Sequence, residues 1–270
     1  MDLASIFSKG VNAVFFLSVI GFVVFLILLV VHNYVTPILP FLPSNKEVIL
    51  PDSTVVNAQL RVKNSEAKPK AELPDSKLDF DKINIFKYEN FTISFDVFLN
   101  GLYISTDVPR VLMYFDTAPV NIVSNSVTEN DLTTVFGNTN FIVFCDPVKN
   151  DLIVAAITLD GSSRSRTRRK VLEKAAVIQN IPINTPFKVT ITITPNFFEV
   201  YMNRELVKTY KLKNTLDTGT PSSRNASIIS PISFIRDTIK IGNVEYFDTP
   251  LRSDQVRYTT SNLKDKSYFT

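Results

Sequence analysis

The chain has 270 residues, 45% of them hydrophobic, and its 29 Lys or Arg against 26 Asp or Glu leave a net charge of +3. That excess is too small to argue for a nucleic-acid partner by itself. The single cysteine, Cys145, excludes an intrachain disulfide framework, and the single histidine, His32, excludes Ser-His-Asp, Cys-His and His-type zinc chemistry in any domain beyond it.

Residues 1–10 form a short polar lead. From Val11 to Val31, 17 of 21 residues are Val, Leu, Ile or Phe, and none is charged. About 20 apolar residues at 1.5 Å rise cover the roughly 30 Å core of a bilayer. A helix also satisfies its backbone internally, as lipid requires. Residues 11–33 are therefore expected as one transmembrane helix. A soluble core helix is seldom apolar on every face, and no A-x-A-like site follows that would mark a cleaved signal peptide. Lys9 precedes the span and the exit is nearly uncharged, so the positive-inside rule puts the N-terminus inside.

Residues 34–77 read as a proline-containing polar tether. Pro37, Pro40, Pro43 and Pro51 stop the helix and favour extended chain. A flexible stretch of this length spans about 30–35 Å. Val55, Leu60 and Val62 leave open a short strand instead. From Leu78 the period becomes two. Phe91 to Val97 alternates apolar and polar residues, as a half-buried strand does. Val111 to Phe115, Phe141 to Cys145 and Leu152 to Leu159 are further short apolar runs. Phe187 to Thr194, Phe198 to Met202 and Leu206 to Leu212 read as a β-meander, and Ile239 to Phe247 as a late strand. One helical turn is expected at Ser253 to Arg257. Many short strands and no long helix beyond the anchor predict an all-β sandwich or barrel.

Several of these stretches resemble the concanavalin A-like (laminin G-like) jelly rolls. Asn180 to Val189 is similar to the entry to a late strand of that family, and Phe198 to Val207 to its "vYvNGelv" hairpin. Ile241 to Leu251 is similar to its closing strand, with Ser253 to Val256 as the turn that follows, and Phe91 to Phe98 resembles an early "ftisf" strand. The likeness covers Leu78 to Tyr258. It implies an antiparallel jelly-roll β-sandwich over 78–258, with a tail at 259–270. Arg204 stands where the family has Gly. A two-residue turn needs φ > 0 there, so a longer turn or another type is expected. Phe187 stands where many members carry Trp. Such a domain joined to one membrane span is similar to structural proteins of large DNA viruses, which implies a virion membrane or capsid setting.

Catalytic and metal constellations are sparse. Retaining glycoside hydrolysis needs two carboxyls about 5–5.5 Å apart, yet Glu199 stands alone on its strand and Asp96 is the only acid inside the early one. There is no Gly-rich phosphate loop. Asp116, Asn121, Asp146, Asn150, Asp151 and Asp160 are candidates for calcium or glycan contacts, but without a D-x-D-x-D-like cluster turn chemistry accounts for them. Tyr103, Tyr114 and Tyr201 are candidate sugar platforms, against ordinary strand packing. Cys145 reads as a small buried core residue.

Arg164-Ser165-Arg166-Thr167-Arg168-Arg169-Lys170 places five positive charges in seven residues, after the turn signal Asp160-Gly161-Ser162-Ser163. It reads as a solvated hairpin tip or as a docking patch for an acidic partner, either protein or anionic lipid. Nucleic acid is disfavoured because interleaved aromatics are absent. Arg166 to Arg169 also fits a basic processing site. Asn90 and Asn225 head glycosylation triplets; Asn225, in a polar loop, is the better placed.

The sequence thus predicts a noncatalytic single-pass membrane protein without cofactors. Its sandwich is expected to be a structural or interaction module between a membrane and a protein layer such as a capsid. A membrane-displayed glycan-binding module is the alternative.

Overall fold

The computed structural model describes residues 3–34, 46–48, 55–56, 60–63, 90–100, 109–116, 128–136, 139–160, 169–216, 225–228 and 239–270. Helix α1 (Leu3–Tyr34) comes first. The strands are β1 (Lys46–Val48), β2 (Val55–Val56), β3 (Leu60–Lys63), β4 (Phe91–Leu99), β5 (Arg110–Asp116), β6 (Thr139–Cys145), β7 (Leu152–Asp160), β8 (Arg169–Ile178), β9 (Phe187–Ile193), β10 (Phe197–Met202), β11 (Glu205–Lys211), β12 (Thr215–Leu216), β13 (Asn225–Ile228) and β14 (Ile239–Phe247). A 3-10 turn at Glu129–Asp131 and the short helices α2 (Leu132–Val135), α3 (Ser253–Thr259) and α4 (Lys266–Phe269) complete the described elements.

Two antiparallel sheets form a sandwich. The first runs β1-β14-β4-β9-β10-β11, with β2 also on β14; the second runs β12-β7-β6-β5-β13-β3, with β8 on β7. The stretch expected as a tether therefore contributes three short strands. The strand that Val55, Leu60 and Val62 left open is realised as β2 and β3, which pair with β14 and β13. Among the described residues no helix is long and apolar enough to cross a membrane. The described side chains of α1 run only from 15 to 31.

The alternation of β4 sends Phe91, Ile93, Phe95 and Val97 inward. They meet Phe115, Phe141 and Val143 of the second sheet. Phe91 stacks on Phe115 at 5.3 Å, and Phe115 meets Phe141 edge-on at 4.5 Å. Such pairs add about 0.5–1.5 kcal/mol beyond their buried area. A bulge between Val111 and Met113 lets Leu112 and Met113 both reach this core, while Val111 turns outward.

Both sheets are also covered outside. Leu132 and Phe136 pack on Val111, Tyr114, Ile142 and Phe144 of the second sheet. On the first, Leu251 and Val256 pack on Tyr201 and Phe247. The half-buried reading of β4 is thereby corrected, because all nine of its residues are buried. Its polar side chains form a ladder with β9 under the C-terminal segment. Thr92 Oγ1 meets Thr192 Oγ1 at 3.0 Å and Ser94 Oγ meets Thr190 Oγ1 at 2.9 Å; Asp96 faces Lys188 on the next rung.

Residues 259–270 lie over this face as a strap. Phe269 stacks on Phe98, Ser261 bonds Glu245, and Tyr268 crosses Gly242. A Cβ at Gly242 would stand 2.6 Å from Tyr268 Cε1. Gly242→Ala is therefore expected to lift the strap and cost about 1–3 kcal/mol, read from the denaturant midpoint of the full chain.

The β10–β11 turn is short after all. Asn203 (φ 51°) and Arg204 (φ 70°) are both left-handed, as a two-residue hairpin turn demands. Arg204 is held there by donating through Nη2 to the Thr260 carbonyl. Asn203 exchanges two 2.9 Å bonds with the Lys188 backbone.

Candidate functional site

The basic stretch runs into the start of β8, and β8 pairs with β7 as a hairpin. Asp160 pairs with Arg169 and Leu159 with Lys170. Arg169 is exposed and Lys170 half-buried; Arg164, Arg166 and Arg168 fall outside the described residues. Beside the hairpin is the edge strand of the other sheet, β11, where Lys208 and Lys211 are exposed, followed by exposed Lys213. Between them opens a polar cleft of about 450 Å³ lined by Asp160, Pro195, Asn196, Lys211, Lys213 and Asn214. Cations from both sheets thus meet at one edge of the sandwich. Sequence reading had only the hairpin run, because single lysines on an alternating strand give no sign that they lie beside it.

Glu173, on β8, ties the two edges together. Its Oε1 accepts from Thr158 Oγ1 at 2.7 Å, Asn214 Nδ2 at 2.9 Å and Asn214 N at 3.0 Å. Its Oε2 accepts from Lys213 N at 2.8 Å and Tyr210 Oη at 3.3 Å. Burial pushes this carboxyl up, but the donors from Lys213, Thr158 and Asn214 together outweigh it and hold the group below the ordinary glutamate range.

The other singled-out residues are placed as follows. Asp146 Oδ1 accepts from the backbone of Val148 and Lys149, both at 2.8 Å, which is turn chemistry. Asn150 Nδ2 donates to the Ile181 carbonyl at 2.6 Å and Asp151 Oδ1 accepts from Asn180 N at 3.1 Å. Asp160 lines the cleft. Asp116 ends β5, and Asn121 and Tyr103 lie outside the described residues. Tyr114 is buried against Phe136 at 4.8 Å, and Tyr201 is buried with its hydroxyl on Glu199 at 2.6 Å. Neither offers a face to a sugar. Burial, then the Glu199 carboxylate, pushes the Tyr201 phenol up. Cys145 is buried, and burial first of all raises its thiol to about 12, Arg110 opposing and Asp146 adding.

Asn90 is exposed just before β4, with its triplet's Thr92 buried. Asn225 is not in a loop: it opens β13, paired with Lys63 on one side and Asp116 on the other. Polar residues at 225 and 227 hid this four-residue strand. Among the described residues, no group of three or more His, Cys, Asp or Glu could hold a metal ion.

No protein-family profile and no curated protein matches the chain. Among solved structures it is similar to the receptor-binding domain of botulinum neurotoxin mosaic serotype C/D, at 13% identity and a TM-score of 0.42 over 78% of this chain and 44% of that one. It is similar to the botulinum neurotoxin serotype G binding domain at 17% identity and a TM-score of 0.41, over 78% and 45%. A third is the binding domain of botulinum neurotoxin DC in complex with rat synaptotagmin II, at 16% identity and a TM-score of 0.38, over 78% and 44%. The chain thus spans less than half the length of these domains.

Proposed function

We propose that the chain is a noncatalytic single-pass membrane protein whose sandwich, of the concanavalin A-like kind, docks an acidic protein layer beside the bilayer. The setting would be that of a minor capsid protein linking a virion membrane to its shell, with the N-terminus inside. The observation that carries this reading is the surface of α1. Phe15, Phe16, Leu17, Ile20 and Phe22 are all more than half exposed, a pattern that water penalises and lipid rewards. The 17 described side chains, 15 to 31, cover about 25 Å at 1.5 Å per residue, just short of a bilayer core of about 30 Å. The helical backbone continues at both ends, and no charged residue occurs between Gly10 and Asn33.

Docking falls to the cationic edge: Arg164, Arg166, Arg168, Arg169 and Lys170 of the hairpin, supported by Lys208, Lys211 and Lys213. A patch of this kind steers an acidic partner and weakens with salt. Alkaline extraction of membranes should leave the full chain in the lipid fraction. Cross-linking in the native membrane or particle should capture a protein partner, and replacing Arg164, Arg166, Arg168 and Arg169 by Ser should cut that capture at least ten-fold. Release into the soluble fraction sinks the anchor. Capture that survives the four substitutions sinks the docking patch, and specific binding on a glycan array would put a sugar in its place.

A further inference from the structure

One cluster has no part in that reading. On the outer face of the first sheet, β14, β4 and β9 lie side by side, and Asn243, Asp96 and Lys188, one buried side chain from each, come together there. Asp96 stands directly opposite Lys188 on β9 and Gly242 on β14. A bulge after Gly242, with Asn243 left-handed at φ 50°, brings the Asn243 carboxamide onto Asp96. The Lys188 and Asp96 side chains are 1% and 0% exposed, and Lys188 Nζ lies 2.6 Å from Asp96 Oδ1. That contact is not aligned as a hydrogen bond, and neither atom has a hydrogen-bond partner. Asp96 Oδ2, by contrast, accepts from Asn243 Nδ2 at 2.9 Å and from the Lys264 backbone at 3.0 Å.

As an ion pair this arrangement is costly. A buried ammonium has three donors to satisfy, and the attraction to one carboxylate offsets its desolvation only when further hydrogen bonds complete both partners. The neighbouring rungs, Thr92–Thr192 and Ser94–Thr190, are bridged by neutral hydroxyls. As a reacting pair, however, the same geometry is productive. The amine is held against the carboxyl in a dry site, where positioning replaces a bimolecular encounter. Two N–H donors already point at Oδ2, the oxygen on which negative charge develops when an amine adds to Cγ.

We propose that Lys188 and Asp96 join through an intramolecular amide bond. A proton passes from Nζ to Oδ1 across the 2.6 Å contact, leaving a neutral amine and a neutral acid. The Nζ lone pair adds to Cγ, and the oxyanion on Oδ2 is held by Asn243 Nδ2 and Lys264 N. A second proton moves from Nζ to Oδ1, the Cγ–Oδ1 bond breaks, and Oδ1 leaves as water. An ammonium and a carboxylate have become a secondary amide and one water, with no oxidant or co-reactant. Asp96 and Lys188 are the reacting groups; Asn243 is a positioning residue. The bond clamps β4 to β9 and so fixes the first long strand after α1 among the described residues against any pull from the N-terminal side. The strap that supplies Lys264 N also shields the site from water.

The test is the mass of the purified full chain in detergent. The expected value is one water below the sequence mass, and proteolysis should release a branched peptide containing both Asp96 and Lys188. Lys188→Met and Asp96→Ala should restore the sequence mass. Asn243→Ala should slow linkage at least ten-fold in freshly made protein while Asp96 and Lys188 remain. If the variants fail to fold, the wild-type peptide map still decides. A sequence mass with two separate peptides overturns the proposal. So does a water lost elsewhere with the peptides unlinked, or an ammonia lost with Lys188 joined to Asn243.

Discussion

Phe269→Ala will destabilise the chain by about 3–5 kcal/mol, the range for removing a buried phenylalanine ring. Phe269 is 1% exposed. Its ring stacks on Phe98 at 5.6 Å and meets Tyr268 edge-on at 4.9 Å, and its carbonyl accepts from Lys240 Nζ. Lys266 Nζ sits 5.7 Å from the Phe98 ring, on the same patch. Losing the Phe269 ring removes the apolar seat of the strap, and water then reaches Asp96, Asn243 and Glu245. Leu263, 39% exposed in the same segment, is the control: Leu263→Ala should change stability by no more than about 0.5 kcal/mol. Denaturant unfolding of both variants gives the comparison, and equal midpoints would show that the strap does not hold the sheet.

The strap also marks the limit of what the sequence discloses. The core strands were legible because β4 and β9 alternate, and β6 and β7 carry the apolar runs Phe141–Cys145 and Leu152–Ile157. Alternation says which residues share a face, not whether the polar face meets water. Thr92, Ser94 and Asp96 look like solvent-facing positions of a half-buried strand, yet all three are buried, and Thr92 and Asp96 bond to Thr249, Leu251 and Lys264, more than 150 positions on. β8 is hidden for a different reason: Arg169, Lys170, Glu173 and Lys174 interrupt its apolar residues, and its pairing with β7 is fixed by a hairpin rather than by composition. Arg204 misled because a residue's intrinsic dislike of φ > 0 says nothing of a distant carbonyl that holds it there. The hairpin's charge was legible as a run. Its lysine neighbours were not, since they come from the other sheet.

The second large effect is expected at Glu173. Glu173→Ala removes the acceptor for Thr158, Asn214, Lys213 and Tyr210 at once. A buried donor left unsatisfied costs about 1–3 kcal/mol, less where water can reach it; with several donors here only part-buried, a total of about 3 kcal/mol is expected. Glu173→Gln keeps the shape but turns an NH₂ toward N–H donors, and should lose about half as much. The pH dependence separates charge from packing. The folded carboxyl is held below the ordinary glutamate value of 4.5. Its stabilisation is therefore fully present above that value and is lost as pH falls through the lower, folded one. The wild-type advantage over Glu173→Gln should be flat between about pH 6 and 8 and shrink only in acid. An advantage unchanged well below the glutamate range would mean that the carboxylate's charge is not what binds the donors. The consequence reaches the docking edge: Lys213 and Asn214 belong to the crossing between β11 and β12, and Glu173 to the hairpin that carries Arg164 to Lys170. Loosening Glu173 should separate the two groups of cations, so Glu173→Ala is expected to weaken partner capture although no basic residue has been changed.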